Sequence, residues 1–285
     1  MSVALDFEIE SSGGVLGAQV LGADLRRSLD EATVQRLRDA LNEFHLLVFR
    51  EQALSAEQQV NFSASFGELE GHVVRRHDGS RTPTLHVVSN LDANGRPTGT
   101  PRSRGNFHWH TDKSYHEVPS YATLLHAQQI PPAGGNTEFA SMHLAYEALS
   151  AARQQELSNL RLVHSWEASR INSGSQLASE DEKRERPPVV HPLVRTHPDT
   201  QRKLLYMGTH VSHIEGRPRA QGKVLVDELM AHATQRQFVY AHQWRDGDLV
   251  MWDNRSLMHR ARQDFDASAN PRVLHRTVVR GTRPY

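Results

Sequence analysis

The chain has no cysteine. That excludes disulfides, thiolate metal sites and cysteine-based catalysis. It has no excess charge either: 33 Lys and Arg stand against 33 Asp and Glu, so no net field draws the protein to nucleic acid or to a membrane surface. No apolar run reaches membrane-spanning length, and the N-terminus carries no basic-then-apolar signal. These absences predict a cytoplasmic protein with no nucleic-acid or membrane partner. What the sequence does hold is histidine, 18 of its 285 residues, a type common in metal enzymes and also on surfaces. No repeat or linker divides the chain, and its length suits one substantial core, so a single domain over 1–285 is expected.

Residues 5 to 27 read as short strands broken by Gly13-Gly14 and Gly17. Asp30 is placed to cap a helix carrying Val34, Leu37, Leu41 and Phe44 at helical spacing. Leu46 to Phe49 is a continuous apolar run, read as a buried strand. Ser55 to Gln58 is a capping-box pattern, with Gly67 placed to end that helix. Further strands are expected at Leu85 to Asn90, Ala122 to Ile130 and from Thr137. Ser141 and Ser150 each start a helix. After Pro192 come strands at 193–196 and 203–207, an amphipathic helix at 221–233, and four strands in the last third. Many short strands with few helices predict a mainly β fold with flanking helices, a double-sheet barrel. Two stretches lack periodicity and are polar: 92–106 and 170–190. Both are candidate lids, and the second is equally readable as a solvated insertion.

One stretch carries chemistry. In an extended Trp109-His110-Thr111-Asp112, His110 and Asp112 point to the same side and offer an imidazole and a carboxylate together. His259, far downstream, is the candidate third ligand. Two histidines and one carboxylate with open positions form the facial triad of non-haem Fe(II) oxygenases. With so many histidines, a lone His-x-Asp arises by chance, and His108 is a rival ligand by spacing.

The ordered set is more specific. After His110-x-Asp112 come Gly134-Gly135-Asn136-Thr137, the distal His259, Arg272 and Arg276. With Pro192 to His197, His232 to Arg236 and Gly247 to Arg255, this set resembles the taurine dioxygenase family of Fe(II)- and 2-oxoglutarate-dependent dioxygenases. Within it, the chain is most similar to the 2,4-dichlorophenoxyacetate dioxygenase branch, and the likeness runs from Gly14 to the C-terminal strand. The resemblance implies a double-stranded β-helix (jelly roll). It also implies Fe(II), 2-oxoglutarate as cosubstrate and O2, with His110, Asp112 and His259 as metal ligands and catalytic centre. Trp109, directly before the ligand, sets the register on His110 rather than His108. Asp112 argues against the related halogenases, where a small residue is expected.

By the same resemblance, Arg272 binds the distal carboxylate of 2-oxoglutarate, Thr137 adds a hydroxyl, and Trp244 borders the oxoacid. Arg276, four residues beyond Arg272, faces the same way on a strand, and two interior arginines call for two anions. The second anion is then the acid group of the prime substrate. Asn106 and His72 fall where taurine enzymes hold substrate polar groups, although Arg75 replaces the aromatic expected after His72. His210 and His213 match the phenoxyacetate branch and are equally readable as surface residues. The expected activity is hydroxylation of a small anionic organic substrate, an aryloxyalkanoate-like acid first, giving succinate and CO2. Sulfonates, alkyl sulfates and amino or hydroxy acids are the alternatives. A zinc-dependent hydrolase or a metal-binding sensor is more remote. A homo-oligomer is expected.

Overall fold

The computed structural model describes residues 6–71, 74–75, 81–82, 84–99 and 104–285. Two short strands open the chain, β1 (Glu8–Ser11) and β2 (Ala18–Leu21). The Asp30 carboxylate accepts the Thr33 N–H and caps α1 (Glu31–Phe44), whose Leu37 and Leu41 are fully buried. β3 (Leu46–Phe49) follows, buried along its length. Both hydrogen bonds of the Ser55–Gln58 capping box form at the start of α2 (Ala56–Ala64). This helix ends at Ala64, three residues before Gly67. Ser65, Phe66 and Gly67 bond to carbonyls three residues back, and that tighter turn takes up the interval.

Three strands precede the His110 stretch: β4 (Val74–Arg75), β5 (Arg81–Thr82) and β6 (His86–Ser89). Beyond it run β7 (Ser120–Gln129), stopped by Pro131-Pro132, then β8 (Thr137–Ser141), α3 (Met142–Glu147), α4 (Ala151–Leu157) and β9 (Arg161–His164). The polar stretch expected as a loop at 170–190 is largely ordered. It holds the end of α5 (Trp166–Asn172), all of α6 (Glu180–Glu185) and the start of β10 (Val189–Pro192). Ser179 and Glu182 form a capping box that starts α6, and the run of charges faces solvent from a helix rather than from a loop.

β11 (Val194–Thr196), β12 (Lys203–Leu205), β13 (Val211–Ile214) and α7 (Arg219–Ala233) lead to the last strands. These are β14 (Val239–His242), β15 (Leu249–Asp253), β16 (Leu257–Ala261) and β17 (Val273–Arg280). Among the described residues, no helix is long and apolar enough to cross a membrane.

The fold is mainly β. A seven-stranded sheet has the order β1-β2-β3-β15-β7-β17-β6, antiparallel except for β2 beside β3, and a smaller sheet has the order β14-β8-β16. Alternation along the strands sets the layers. Leu47, Phe49, Leu249 and Met251 face outward onto α1 and α2, while Leu46, Val48, Val250 and Trp252 face inward. In the small sheet Phe139 and Leu257 face inward, and Ala140 and Met258 pack with α3 and α7. The inward parity includes Thr123 beside Leu125, Thr137 beside Phe139, His259 beside Leu257, and Arg276 beside Leu274. The chain crosses between these sheets at the β7–β8 and β15–β16 turns, and both turns supply residues to the site.

Candidate metal and oxoacid centre

His110 adds one bridge to the edge of β16. Its N–H donates to the His259 carbonyl (3.1 Å), and the His259 N–H donates back (2.8 Å). Residues paired this way put their side chains on one face, so the backbone itself brings the two imidazoles together, with ring centroids 4.2 Å apart. Gly208 (φ 149°) permits the close approach on the other side. A Cβ there would stand 3.1 Å from His110 Cα.

Asp112 completes the group. Its Oδ1 lies 3.9 Å from His110 Nε2 and its Oδ2 lies 4.0 Å from His259 Nε2. One ligand atom from each of the three residues fits within 4.8 Å, all three side chains are buried, and no other such cluster occurs among the described residues. His110 Nδ1 donates to the His108 carbonyl (2.7 Å), so Nε2 is the bare nitrogen. Burial, against the opposing charge of Asp112, pushes both imidazoles toward the neutral form that a metal requires. Burial opposes ionisation of Asp112. The Arg276 charge, the two histidines and the Thr123 hydroxyl outweigh it and hold the carboxyl below its ordinary range. Bare imidazole nitrogens and an ionised carboxylate, gathered where no proton donor links them, fit a divalent cation.

A second polar group lies beside β8. Gly135 (φ 66°) accepts the Arg272 Nε–H at its carbonyl (3.0 Å), and a Cβ on Gly135 would crowd Arg272 at 3.3 Å. Trp244 Nε1 donates to Thr137 Oγ1 (3.0 Å), and Arg272 Nη2 approaches the same oxygen at 3.5 Å. Thr137 thus accepts, and its own proton remains to be given. Burial pushes the Arg272 guanidinium down to about 10, and among the described residues no carboxylate forms an ion pair with it. A buried cation of this kind beside a spare hydroxyl suits the carboxylate of a small oxoacid. Trp244 is half of this arrangement by its hydrogen bond and half core by its packing against the inner residues.

Residues 8–278 match the model of the taurine catabolism dioxygenase TauD, TfdA family. The chain belongs to this family. It is 40% identical over 273 residues to the alpha-ketoglutarate-dependent 2,4-dichlorophenoxyacetate dioxygenase of Cupriavidus pinatubonensis, covering 93% of this chain and 95% of the relative. It is 35% identical over 265 residues to the (S)-phenoxypropionate/alpha-ketoglutarate-dioxygenase of Sphingobium herbicidovorans, covering 90% and 89%. Among solved structures, AAD-2 in complex with Mn(II) and N-oxalylglycine superposes with a TM-score of 0.88 at 38% identity, covering 98% of each chain. As a member of this family, the protein is a 2-oxoglutarate-dependent dioxygenase using a non-haem metal and O2.

The other expected residues are distributed unevenly in this dioxygenase. Arg276 points inward, with Nη1 3.7 Å from Asp112 Oδ1 and Nε buried without a partner. Asn106 is half-buried on the single helical turn 104–107 that leads into the His110 segment. His72 lies outside the described residues, as do 100–103 of the expected 92–106 lid. Of the described part of that stretch, 92–96 is a turn in which Asp92 accepts the Asn94 and Arg96 N–H groups, and 104–106 belong to the helical turn. His108 is exposed and its carbonyl accepts from His110, so the buried cluster contains His110 and not His108.

His210 is not a surface residue. It packs edge-on to His110 (5.8 Å) and to Tyr115 (4.9 Å), and burial pushes it down to about 3. His213 is only half-buried on β13. Tyr115, Ser114 and Thr123 were not singled out from the sequence. Ser114 and Tyr115 could have been, because they directly follow the His-x-Asp motif on the same segment.

Proposed function

We propose that this dioxygenase hydroxylates a small organic acid of the aryloxyalkanoate type. His110, Asp112 and His259 would hold Fe(II), Arg272 and Thr137 the distal carboxylate of 2-oxoglutarate, and Arg276 the carboxylate of the prime substrate. The observation that carries this reading is the position of Arg276: an inward guanidinium with an unpartnered Nε, beside the metal cluster and separate from Arg272. An interior cation in that place requires an anion. The two sheets then read as a double-stranded β-helix, with 1–285 as one domain.

Bound Fe(II), with 2-oxoglutarate and O2, would supply the oxidant that removes hydrogen from a C–H bond, leaving succinate and CO2. The rest is placement by this chain. The Arg272 fork and the Thr137 proton orient the oxoacid. Arg276 fixes the acid end of the substrate close to Asp112, which puts the carbon next to that acid group nearest the metal cluster. His210 stands edge-on to both His110 and Tyr115 and places aromatic rings beside the cluster. Hydroxylation of a carbon that also bears an ether oxygen gives a hemiacetal-type product, which falls apart to a phenol and an oxoacid.

The same guanidinium would accept a sulfonate or a sulfate ester, so the test is comparative. Aryloxyacetates, aryloxypropionates, alkylsulfonates and alkyl sulfates are each supplied with Fe(II), 2-oxoglutarate and O2, and substrate-dependent succinate is measured. The reading predicts the largest stimulation from an aryloxyalkanoate. Stimulation by sulfonates or sulfate esters alone would replace it. A reducing cytoplasm suits a chain without cysteine, and a homo-oligomer is the expected state, checked by light scattering.

A further inference from the structure

We propose that Thr123 and Asn254 are positioning residues that hold Asp112 as a one-oxygen metal ligand. This rests on the metal-site reading above. An indole N–H can only donate, so the bond from Trp252 Nε1 (3.0 Å) makes the facing atom of Asn254 the acceptor Oδ1 and fixes which way its amide points. Asn254 Nδ2 must then donate, and it does so to Thr123 Oγ1 (2.8 Å). Having accepted there, the Thr123 hydroxyl gives its one proton to Asp112 Oδ2, 2.6 Å away. The Asp112 N–H points at the same Asn254 Oδ1 (3.3 Å), and Thr111 Oγ1 donates to the Asn254 carbonyl (2.7 Å). The amide thus holds both ends of the Asp112 residue, its backbone directly and its carboxylate through Thr123.

The supports of this relay are themselves fixed. Thr123 lies in the middle of β7, paired with Trp252 of β15, and is fully buried. Asn254 sits in the β15–β16 turn, its N–H bonded to the Tyr121 carbonyl (2.8 Å). The preceding Asp253 is locked by His197 and by a forked contact from Arg255. A carboxylate free to turn can present both oxygens to a cation. Oδ2, 4.0 Å from His259 Nε2, is occupied by the Thr123 proton, which leaves Oδ1, 3.9 Å from His110 Nε2, as the oxygen without a hydrogen bond to present to a cation. Single-oxygen ligation keeps further metal positions open for an oxoacid and O2. Outer-shell partners of this type change metal affinity about 10- to 100-fold.

The test is metal binding, not turnover. Metal-free protein is titrated anaerobically with Co(II), followed by calorimetry and visible absorption. Thr123→Val should weaken Co(II) binding about 10- to 100-fold, and Thr123→Ser, which keeps the hydroxyl, should bind like the parent. Asn254→Asp cannot donate to Thr123, so it should weaken binding in the same direction, and it serves if the valine variant does not fold. Asp112→Ala is the control for the site. If Asp112→Ala loses Co(II) while Thr123→Val and Asn254→Asp keep parental affinity, the positioning role is overturned and the metal site stands. If Asp112→Ala also keeps parental affinity, both are overturned.

Discussion

The Arg276 guanidinium stands 3.7 Å from Oδ1 of Asp112, close enough to favour the ionised carboxylate and too far for a direct hydrogen bond. The same arginine, through its unpartnered Nε, is the anion site of the proposed function. Arg276→Ala should weaken the acid substrate by roughly tenfold to a hundredfold, the effect of losing a charge-assisted bond of about 1.5–3 kcal/mol. Binding of 2-oxoglutarate should be spared. Arg276→Lys restores the charge but not the fork and should recover part of the loss. Anaerobic titration of each ligand checks this; equal losses for both ligands would mean one shared anion site.

Arg272→Ala should show the opposite pattern, weakening 2-oxoglutarate by about the same factor with the acid substrate less affected. Thr137→Val removes one hydroxyl and should cost less, on the order of threefold to tenfold. It also leaves the Trp244 N–H without its acceptor, so unfolding should be followed alongside binding. A Thr137→Val protein with parental 2-oxoglutarate affinity would return Thr137 to an ordinary strand residue.

Asp112→Ala should abolish substrate-dependent succinate while the protein stays folded, because the apolar core lies in other residues. His108→Ala should be mild, since that side chain is exposed and only its carbonyl is used. An inactive His108→Ala beside an active Asp112→Ala would place the metal on another set.

Three buried histidines away from the metal cluster make stability depend on pH. Burial first, then nearby charges, push His45 down to about 3 and His143 and His191 down to about 4. Each has a folded pKa below its unfolded value, so the unfolded chain binds more protons in the window between the two. Their contribution is present in full above about pH 6.5 and is lost as the pH falls toward 4. Roughly 1 kcal/mol for each should go between pH 7 and pH 5.5. Urea unfolding of the metal-free protein at those two values measures it, and unchanged midpoints would contradict these burials.

The parts of this site legible in the sequence are those set by short-range periodicity. His110 and Asp112 share a side because strands alternate, and the inward direction of Arg276 follows the same parity. His110, directly after Trp109, is the histidine that joins the buried cluster, and Asp30 and Ser55 marked helix starts by their capping chemistry. α6 was hidden because its residues are charged on every side; only the Ser179–Glu182 box betrayed it. The Thr123–Asn254 bond joins residues 131 apart in the chain, and a contact at that range leaves no periodic trace. His210 was equally readable as a pocket or a surface histidine, because its burial depends on Tyr115 and His110, which come from another part of the chain.

In the proposed function, oxidation of a small acid is coupled to 2-oxoglutarate through two separate arginine sites. The most direct measurement is stoichiometry: an aryloxyacetate is supplied with Fe(II), 2-oxoglutarate and O2, and succinate and phenol are counted together. One succinate for each phenol is expected in the parent protein. In Arg276→Ala succinate without matching phenol is expected, because 2-oxoglutarate still binds while the acid is no longer placed. Parental coupling in Arg276→Ala, or succinate that does not respond to any acid in the parent, would contradict the proposed function.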